Sequence, residues 1–218
     1  ATTEEEAGAK PAWDGIPARD AKTVDPDRPL RVGYVSADFR GHPVASFAEP
    51  VVTSHDPEKV EVTCYSCTPT EDEITARFKA SAARWRDVKT LSDDAFAQLV
   101  RDDEIDILID LSGHTGGTRL GVFAQKPAPI QVTWIGYPNT TGLMTMDFRI
   151  TDRYADPPGL TEALHTEQLA RMPKSFLCFQ APEGTPEPRP VPPSAEGYFA
   201  FGAFNNLIKI GPHCVAAW

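Results

Sequence analysis

Two short and almost uninterrupted apolar runs constrain the fold of this chain more than any other feature. They are Ile105–Leu111 and Ile130–Tyr137, and apolar runs of this length without polar alternation are typical of parallel strands buried on both faces. Each run leads into a loop rich in Gly, Pro, Asn, Thr and His. Because ligands in open α/β sheets bind just outside the carboxyl ends of the strands, we expect the functional residues in these loops.

Further strand-like and helix-like segments alternate along the chain. We predict strands at Leu30–Val35, Val60–Cys67 and Phe148–Thr151, and helices at Val44–Ser54, Glu71–Ala83, Ser92–Asp102 and near Thr118–Ala124. Ser92 has the residue type of an N-cap, the last residue before a helix, whose side chain accepts a free amide of the first turn. This alternation predicts an α/β fold with a parallel sheet and right-handed crossovers.

The two ends of the chain differ from this middle. Residues 1–29 are rich in Ala, Glu, Asp and Pro, a composition that indicates an acidic linker or a disordered end. We expect residues 30–180 to form the α/β lobe. Residues 181–196 predict a Pro-rich linker. Residues 197–218 predict one strand, Tyr198–Phe204, and the start of a helix. Since one strand and one helix cannot form a core, we expect a second lobe that is truncated here.

Composition bears on several classes of partner. With 31 acidic and 21 basic residues the net charge is −10, which argues against binding nucleic acid, and no apolar run approaches the roughly 18 residues of a membrane span. Cys64 and Cys67 have CxxC spacing but lie in a strand-like run without a second CxxC, so we expect no metal site. The four cysteines are predicted to be buried thiols of a reducing, cytoplasmic compartment, and His55, His165 and His213 to be surface residues.

Three candidate site residues lie at the ends of two predicted strands, Leu30–Val35 and Ile105–Leu111. His42 stands at the mouth of a helix, where its ring suits proton transfer or a hydrogen bond to phosphate, or else caps the helix on the surface. Asp110 ends its strand and either orients a ligand group or caps the amides of its own loop. His114 lies in the glycine-rich loop 112–117, whose backbone amides can bind anions.

Two further candidates lie later in the chain. The loop Pro138, Asn139, Thr140 and Thr141 is rich in hydroxyls and either contacts a sugar or an acceptor chain, or forms a tight turn. Lys209 follows an Asn-Asn pair before a helix start, where a lysine can pair with a diphosphate, or it is an ordinary surface lysine.

Taken together, these loops resemble the catalytic region of the protein O-GlcNAc transferase and SPINDLY family. The matching segments are RVGYVSADFRGHP (31–43), DILIDLSGHTGGTRLG (106–121), KPAPIQVTWIGYPNTTG (126–142), DFRITDRYADPP (147–158) and FGAFNNLIKIGP (201–212). The resemblance implies two Rossmann-like lobes of the GT-B type, usually preceded by tetratricopeptide repeats. This chain would supply the N-terminal lobe and the start of the C-terminal lobe.

The resemblance also implies a reaction and roles for residues. The family transfers a sugar from a nucleotide diphosphate to Ser or Thr hydroxyls of intracellular proteins, with inversion and without a catalytic metal or other cofactor. His42 matches the active-site histidine of the HP motif, a base or an organiser of the acceptor. Lys209 matches the lysine that stabilises the departing diphosphate, and Asn206 matches an amide that contacts the nucleotide. Asp110, His114 and the loop 138–141 line the same cleft.

The chain also departs from the family pattern, and alternatives follow. It lacks the tetratricopeptide repeats, most of the second lobe and the long insertion between the lobes, so we expect the isolated chain to be inactive. GHTGG and IGYPNTTGL are more similar to the SPINDLY branch, some of whose members use GDP-fucose. UDP-GlcNAc is therefore the first donor considered and GDP-fucose the second. A noncatalytic lobe that binds proteins is the alternative from a different class.

Overall fold

The structure is a computed structural model that describes residues 25, 27–181, 184–187, 202–204 and 206–218. The chain divides into two compact units, Ala1–Gln180 and Ala181–Trp218. The predicted Tyr198–Phe204 strand falls mainly outside the described residues, and the described part, 202–204, is not a strand. In the second unit a 3-10 helix, Leu207–Lys209, precedes helix α5, Pro212–Ala217.

The first unit is built on one parallel sheet. Its described strands are β1 (Leu30–Ser36), β2 (Val60–Ser66), β3 (Arg84–Asp87), β4 (Ile107–Asp110), β5 (Ile130–Thr133), β6 (Phe148–Asp152) and β7 (Gln168–Met172), in the order β3-β2-β1-β4-β5-β6-β7. The helices are α1 (Pro43–Thr53), α2 (Glu73–Ser81), α3 (Asp93–Asp102) and the single turn α4 (Leu120–Phe123), with a 3-10 helix at Glu162–Leu164. All six strand pairs are parallel. The predicted Rossmann-like α/β fold is confirmed.

Two hydrophobic layers cover the two faces of this sheet. Ile109 packs in the layer that includes α1, whereas its neighbour Leu108 packs in the layer that includes α3 and α4. Successive side chains of β4 are therefore buried on opposite faces. This double burial explains why the sequence of β4 is apolar without alternation.

Helix starts follow the local chemistry of their first residues. Ser92 caps α3 through a hydrogen bond from Ala95 N, as predicted. Asp72 caps α2 in a reciprocal box with Thr75, and each such cap contributes about 1 kcal/mol. His42 caps α1, with Pro43 in the first turn where its missing N–H costs nothing.

Several predicted boundaries were wrong, and two strands were not predicted. The run Ile130–Tyr137 leaves the sheet after Thr133 because Ile135 has a positive φ of 56°, so the rest of the run is loop. Strands β3 and β7 were missed because their sequences, RWRD and QLARM, carry charges and are only partly buried. The predicted helix Glu71–Ala83 is shorter, since Asp72 fixes its start.

Buried thiols and surface histidines were also predicted too broadly. Cys64 is buried and Cys67 half-buried, but Cys178 and Cys214 are exposed, and all four are free. The side chain of His165 is only 4% exposed, with Nδ1 3.0 Å from the carbonyl oxygen of Thr161. Neither outcome follows from residue type, because tertiary contacts decide it. Among the described helices, none has the length and apolar character that crossing a bilayer requires.

Candidate functional site

A pocket of about 320 Å³ lies where loops from β1, β5 and β6 meet at the carboxyl ends of the strands. It is lined by residues 42–44 and 47 of the α1 start, residues 135–138 after β5, Arg149 of β6, and residues 155–156 and 176–177. The sheet order reverses between β1 and β4, next to this pocket. Such a switch point is where ligands bind in open α/β sheets.

His42 contributes its ring to the pocket and its backbone to the start of α1. Its Nδ1 accepts a hydrogen bond from Val44 N at 3.2 Å, and the side chain is 37% exposed. The preceding Gly41 N–H donates to Asp72 Oδ2 at 2.6 Å, which ties the loop to α2. The capping interpretation and the pocket interpretation of His42 therefore describe the same side chain.

The loop after β5 has a strained and tightly constrained backbone. Ile135 has a φ of 56°, a region that β-branched residues rarely occupy. A Cβ on Gly136 would lie 2.1 Å from the carbonyl oxygen of Leu111, so only glycine fits there. Backbone strain of this kind persists only where surrounding contacts hold it. Here the strained loop places residues 135–138 in the wall of the pocket.

Arg149 supports this loop from beneath, and sequence reasoning missed it. Its Nη1 donates to the carbonyl oxygens of Tyr137 at 3.0 Å and Asn139 at 2.9 Å. The residue is 5% exposed, and burial lowers the pKa of its guanidinium. Its Nε lies 3.8 Å from Asp156 Oδ2, another buried pocket residue. The sequence of β6, FRITD, does not mark Arg149 as buried, because a charged residue in a short strand is ordinarily exposed.

Glu167 holds the next part of the loop and was also missed. Its carboxylate accepts hydrogen bonds from the Thr141 amide at 2.7 Å, from the Thr141 hydroxyl, and from the Thr140 hydroxyl at 2.7 Å. Burial acts to raise the pKa of Glu167, but these hydrogen bonds outweigh it and hold the pKa below its ordinary value. Thr141 is buried, so its hydroxyl serves the loop and is turned away from solvent.

Asp110 is fully buried behind the glycine-rich loop. Its carboxylate accepts hydrogen bonds from Ser112 N at 3.0 Å, Gly113 N at 2.8 Å and the Thr133 hydroxyl at 2.9 Å. Burial raises the pKa of this carboxyl, while those donors act in the opposite direction. The geometry thus favours the alternative in which Asp110 caps the amides of its own loop over direct contact with a ligand.

His114 joins the glycine-rich loop to the loop after β5. Its Nε2 lies 2.9 Å from the carbonyl oxygen of Thr141, and its ring packs edge-on to Tyr137 with centroids 5.2 Å apart. His42 and Pro138 line one pocket, and His114 contacts the same loop, so the predicted candidates of this unit do gather at one edge of the sheet. Asn139 is exposed and its side chain accepts from Thr140 N, a local turn contact.

The remaining candidates lie in the second unit. Asn206 Oδ1 accepts a hydrogen bond from Ile208 N at 3.1 Å, which caps the 3-10 helix. Lys209 ends that helix, and both residues are exposed. Within the described ranges, no group of three or more His, Cys, Asp or Glu side chains is arranged to hold a metal ion. The expectation of metal-free chemistry stays a prediction.

Comparison with known proteins identifies relatives with the same pattern. A family model, glycosyl transferase family 41, matches residues 17–181. The chain is 44% identical over 212 residues to the probable UDP-N-acetylglucosamine–peptide N-acetylglucosaminyltransferase SPINDLY of Arabidopsis thaliana, covering 95% of this chain and 22% of the relative. It is 48% identical over 197 residues to the rice (Oryza sativa subsp. japonica) protein of the same name, with coverage of 88% and 21%. The chain thus spans about a fifth of the length of these relatives.

A solved structure is also similar. It is a mutant of the O-GlcNAc transferase from Thermobaculum terrenum, which is 47% identical in sequence and superimposes with a TM-score of 0.73. The match covers 77% of this chain and 32% of that one. The two chains therefore share a fold over most of the length of this chain.

Proposed function

The chain belongs to glycosyltransferase family 41, and from this premise we propose that the protein carrying it transfers N-acetylglucosamine from UDP-GlcNAc to Ser or Thr hydroxyls of proteins. The names of the relatives support both the donor and the peptide acceptor. In this proposal the nucleotide sugar is a substrate, no resident cofactor or metal takes part, and the reaction occurs in the cytoplasm.

One observation carries the assignment of roles. His42 presents a titratable ring in a pocket that is otherwise lined mainly by apolar side chains and backbone. A ring so placed can hydrogen-bond to the acceptor hydroxyl and assist its loss of a proton, a contribution of about 10²- to 10⁴-fold in rate. Residues 136–138 line the same pocket, where they can contact and orient the acceptor.

Charge on the leaving group needs a separate stabiliser. When the sugar–phosphate bond breaks, negative charge develops on the diphosphate, and a fixed cation lowers the barrier by stabilising that charge. We assign this role to Lys209 and assign nucleotide contact to Asn206. Each assignment follows from the family pattern and is part of this proposal.

Transfer of label from nucleotide sugar to protein tests the function directly. The full-length protein that carries this sequence is incubated with an acceptor protein and either radiolabelled UDP-GlcNAc or radiolabelled GDP-fucose. We expect label from UDP-GlcNAc in the acceptor, and a loss of about 10²-fold in the Lys209→Ala variant, equivalent to about 2.7 kcal/mol in the barrier.

The other outcomes separate the alternatives. Label from GDP-fucose alone would show a fucosyltransferase and overturn the donor assignment. Transfer from neither donor, together with retained binding of the acceptor protein, would show a noncatalytic lobe. Turnover by Lys209→Ala equal to that of the unaltered protein would remove Lys209 from the site.

A further inference from the structure

Asp38 is a largely buried carboxylate that stands four residues before His42 and lies beside its ring nitrogen. Its side chain is 10% exposed, and its Oδ2 is 3.5 Å from His42 Nδ1. The other carboxylate oxygen, Oδ1, is 3.7 Å from Arg40 Nη2. The backbone N–H of Asp38 donates to the Ser36 hydroxyl at 2.9 Å, which fixes the residue at the end of β1.

His42 Nδ1 therefore faces two groups with opposite requirements. The Val44 N–H, at 3.2 Å, needs a lone pair on Nδ1, whereas the Asp38 carboxylate needs a proton there. In a neutral ring the first arrangement puts the proton on Nε2, and the second leaves Nε2 unprotonated. Only the second can accept a proton through Nε2. The choice between them decides what the ring can do in the pocket.

The interaction with the Asp38 carboxylate is the stronger of the two and favours a proton on Nδ1. A lone pair on Nδ1 would face a negative charge at 3.5 Å in a buried setting, which is repulsive, and a proton there converts that contact into an attractive one. Hydrogen bonds to an ionised acceptor are about twice as strong as those between neutral groups. With the proton on Nδ1 the Val44 N–H loses the ring as its acceptor, a cost of about 1 kcal/mol that the contact with the ionised carboxylate offsets.

We propose that Asp38 is the positioning residue of His42, accepting the Nδ1 proton so that Nε2 is free to act as the base. This inference rests on the function proposed above. In the step, the acceptor O–H bond breaks and its proton goes to Nε2 while the new bond forms between that oxygen and C1 of the sugar. The C1–O bond to the diphosphate breaks, and its electron pair leaves with the diphosphate. Asp38 stabilises the imidazolium ion that results.

Ring ¹⁵N spectra of the full 218-residue chain test the tautomer without any need for activity. The chain has five histidines, and the His42 signals are assigned by their loss in His42→Gln. We expect the Nδ1–H pattern in the unaltered chain and the Nε2–H pattern in Asp38→Asn, with Asp38→Glu restoring the first. Unchanged His55 and His114 signals show that the variants are folded. The same His42 tautomer in the unaltered chain and in Asp38→Asn would overturn the proposal.

A double-mutant cycle in the full-length protein tests the consequence for turnover. Asp38→Asn is expected to lower kcat at least tenfold with the donor KM within about twofold, and to cause no further loss in a His42→Gln background. Equal losses in both backgrounds would show a structural role and contradict the inference. Asp103→Asn, which removes a buried carboxylate far from the pocket, serves as the matched control and is expected to leave kcat unchanged.

The two tests also separate this proposal from the proposed function. If the unaltered full-length protein transferred neither sugar, the proposed function would fail, while the ¹⁵N spectra would still report whether Asp38 sets the tautomer of His42. If transfer occurred but the tautomer of His42 were the same with and without the Asp38 carboxylate, only the present inference would fail.

Discussion

Two buried aspartates, Asp103 and Asp110, stand at opposite edges of the same sheet and have pKa values shifted in opposite directions. Asp103 is 5% exposed and accepts hydrogen bonds from Arg86 at 2.6 Å and the Tyr65 hydroxyl at 2.8 Å. Burial alone would raise the pKa of Asp103, but these donors and the positive charge of Arg86 and Arg84 outweigh it and lower that pKa. Asp110, bound only by neutral donors, keeps a raised pKa because burial dominates.

The difference extends along both edges. The amino edge, where the strands begin, carries a strip of ion pairs: Arg28–Asp106, Arg31–Glu61, Arg84–Glu61, Arg84–Asp103 and Arg86–Asp103. The carboxyl edge, where the loops 37–42, 111–117 and 134–141 lie, is held mainly by backbone amides, hydroxyls and close-fitting glycines. We infer that the amino edge contributes mainly to stability and the carboxyl edge mainly to the shape of the site.

The largest expected effect is on turnover, from the carboxyl edge. His42→Ala should reduce kcat of the full-length protein by about 10²-fold, equivalent to about 2.7 kcal/mol in the barrier, because the ring assists the acceptor hydroxyl. The free energy of unfolding should fall by no more than about 1 kcal/mol, because the side chain is 37% exposed and its removal opens no cavity in the core. Steady-state kinetics and urea unfolding measure the two quantities. A variant that unfolds much more easily yet turns over normally would reverse the assignment of this edge.

The next effect is on stability, from the amino edge. Asp103→Asn should lower the free energy of unfolding by about 2 kcal/mol at pH 7, less than for a fully buried pair because both arginines are partly exposed. The lowered pKa means that the folded state binds fewer protons than the unfolded chain. This stabilisation is therefore fully present above the unfolded pKa of about 3.9 and is lost as the pH falls through the folded pKa. Urea unfolding from pH 7 to pH 3 should show the deficit of the variant shrinking.

The corresponding change at the carboxyl edge should show the opposite pH dependence. Asp110→Asn places an amide NH₂ against one of the three hydrogen-bond donors around this side chain. The free energy of unfolding should therefore fall by about 1 kcal/mol at pH 7. Because the folded pKa of Asp110 is raised, the unaltered protein loses stability as the pH rises from about 3.9 through that pKa. The deficit of Asp110→Asn should then be larger at pH 4 than at pH 7. Parallel pH profiles for the two variants would contradict the comparison of the two edges.

Sequence patterns predicted the parts of the fold in which burial and backbone agree. The run that contains β4 was recognised because Leu108 and Ile109 are buried on opposite faces, and Ser92 because its side chain caps locally. Trp134 and Ile135 were assigned to a strand because they are apolar, and both do pack in the core, but from a loop. Hydrophobicity reports burial and does not by itself report backbone conformation.

The candidate site divides in the same way. His42, His114 and Pro138 were chosen as candidates because glycine-rich and proline-rich loops after strands are recognisable in the sequence, and the structure brings them to one edge of the sheet. Arg149 and Glu167, which hold the loop after β5, were not found, because their burial depends on contacts with residues 10 to 27 positions away. Residue type predicts exposure for both, and only the tertiary fold shows otherwise.

The smallest expected effect is a response to salt, confined to the amino edge. Glu61 is 28% exposed and pairs with Arg31 and Arg84, so these contacts are partly screened by ions and are together worth about 0.5 kcal/mol. Salt also relieves the repulsion within a chain of net charge −10, which stabilises the folded state and opposes the first effect. The salt dependence of the unaltered protein alone therefore does not separate the two effects.

Two variants with the same change in net charge separate them. Glu61→Gln should remove the part of the salt dependence that comes from the ion pairs. Glu58→Gln, at an exposed position outside the strip, should retain that part. We expect unfolding free energies measured between about 0.05 and 0.5 M KCl, where the screening length falls from about 14 Å to about 4 Å, to increase more steeply with salt in Glu61→Gln than in Glu58→Gln. Equal slopes would show that the strip contributes nothing through charge, and the stability of the amino edge would then rest on Asp103 and its hydrogen bonds.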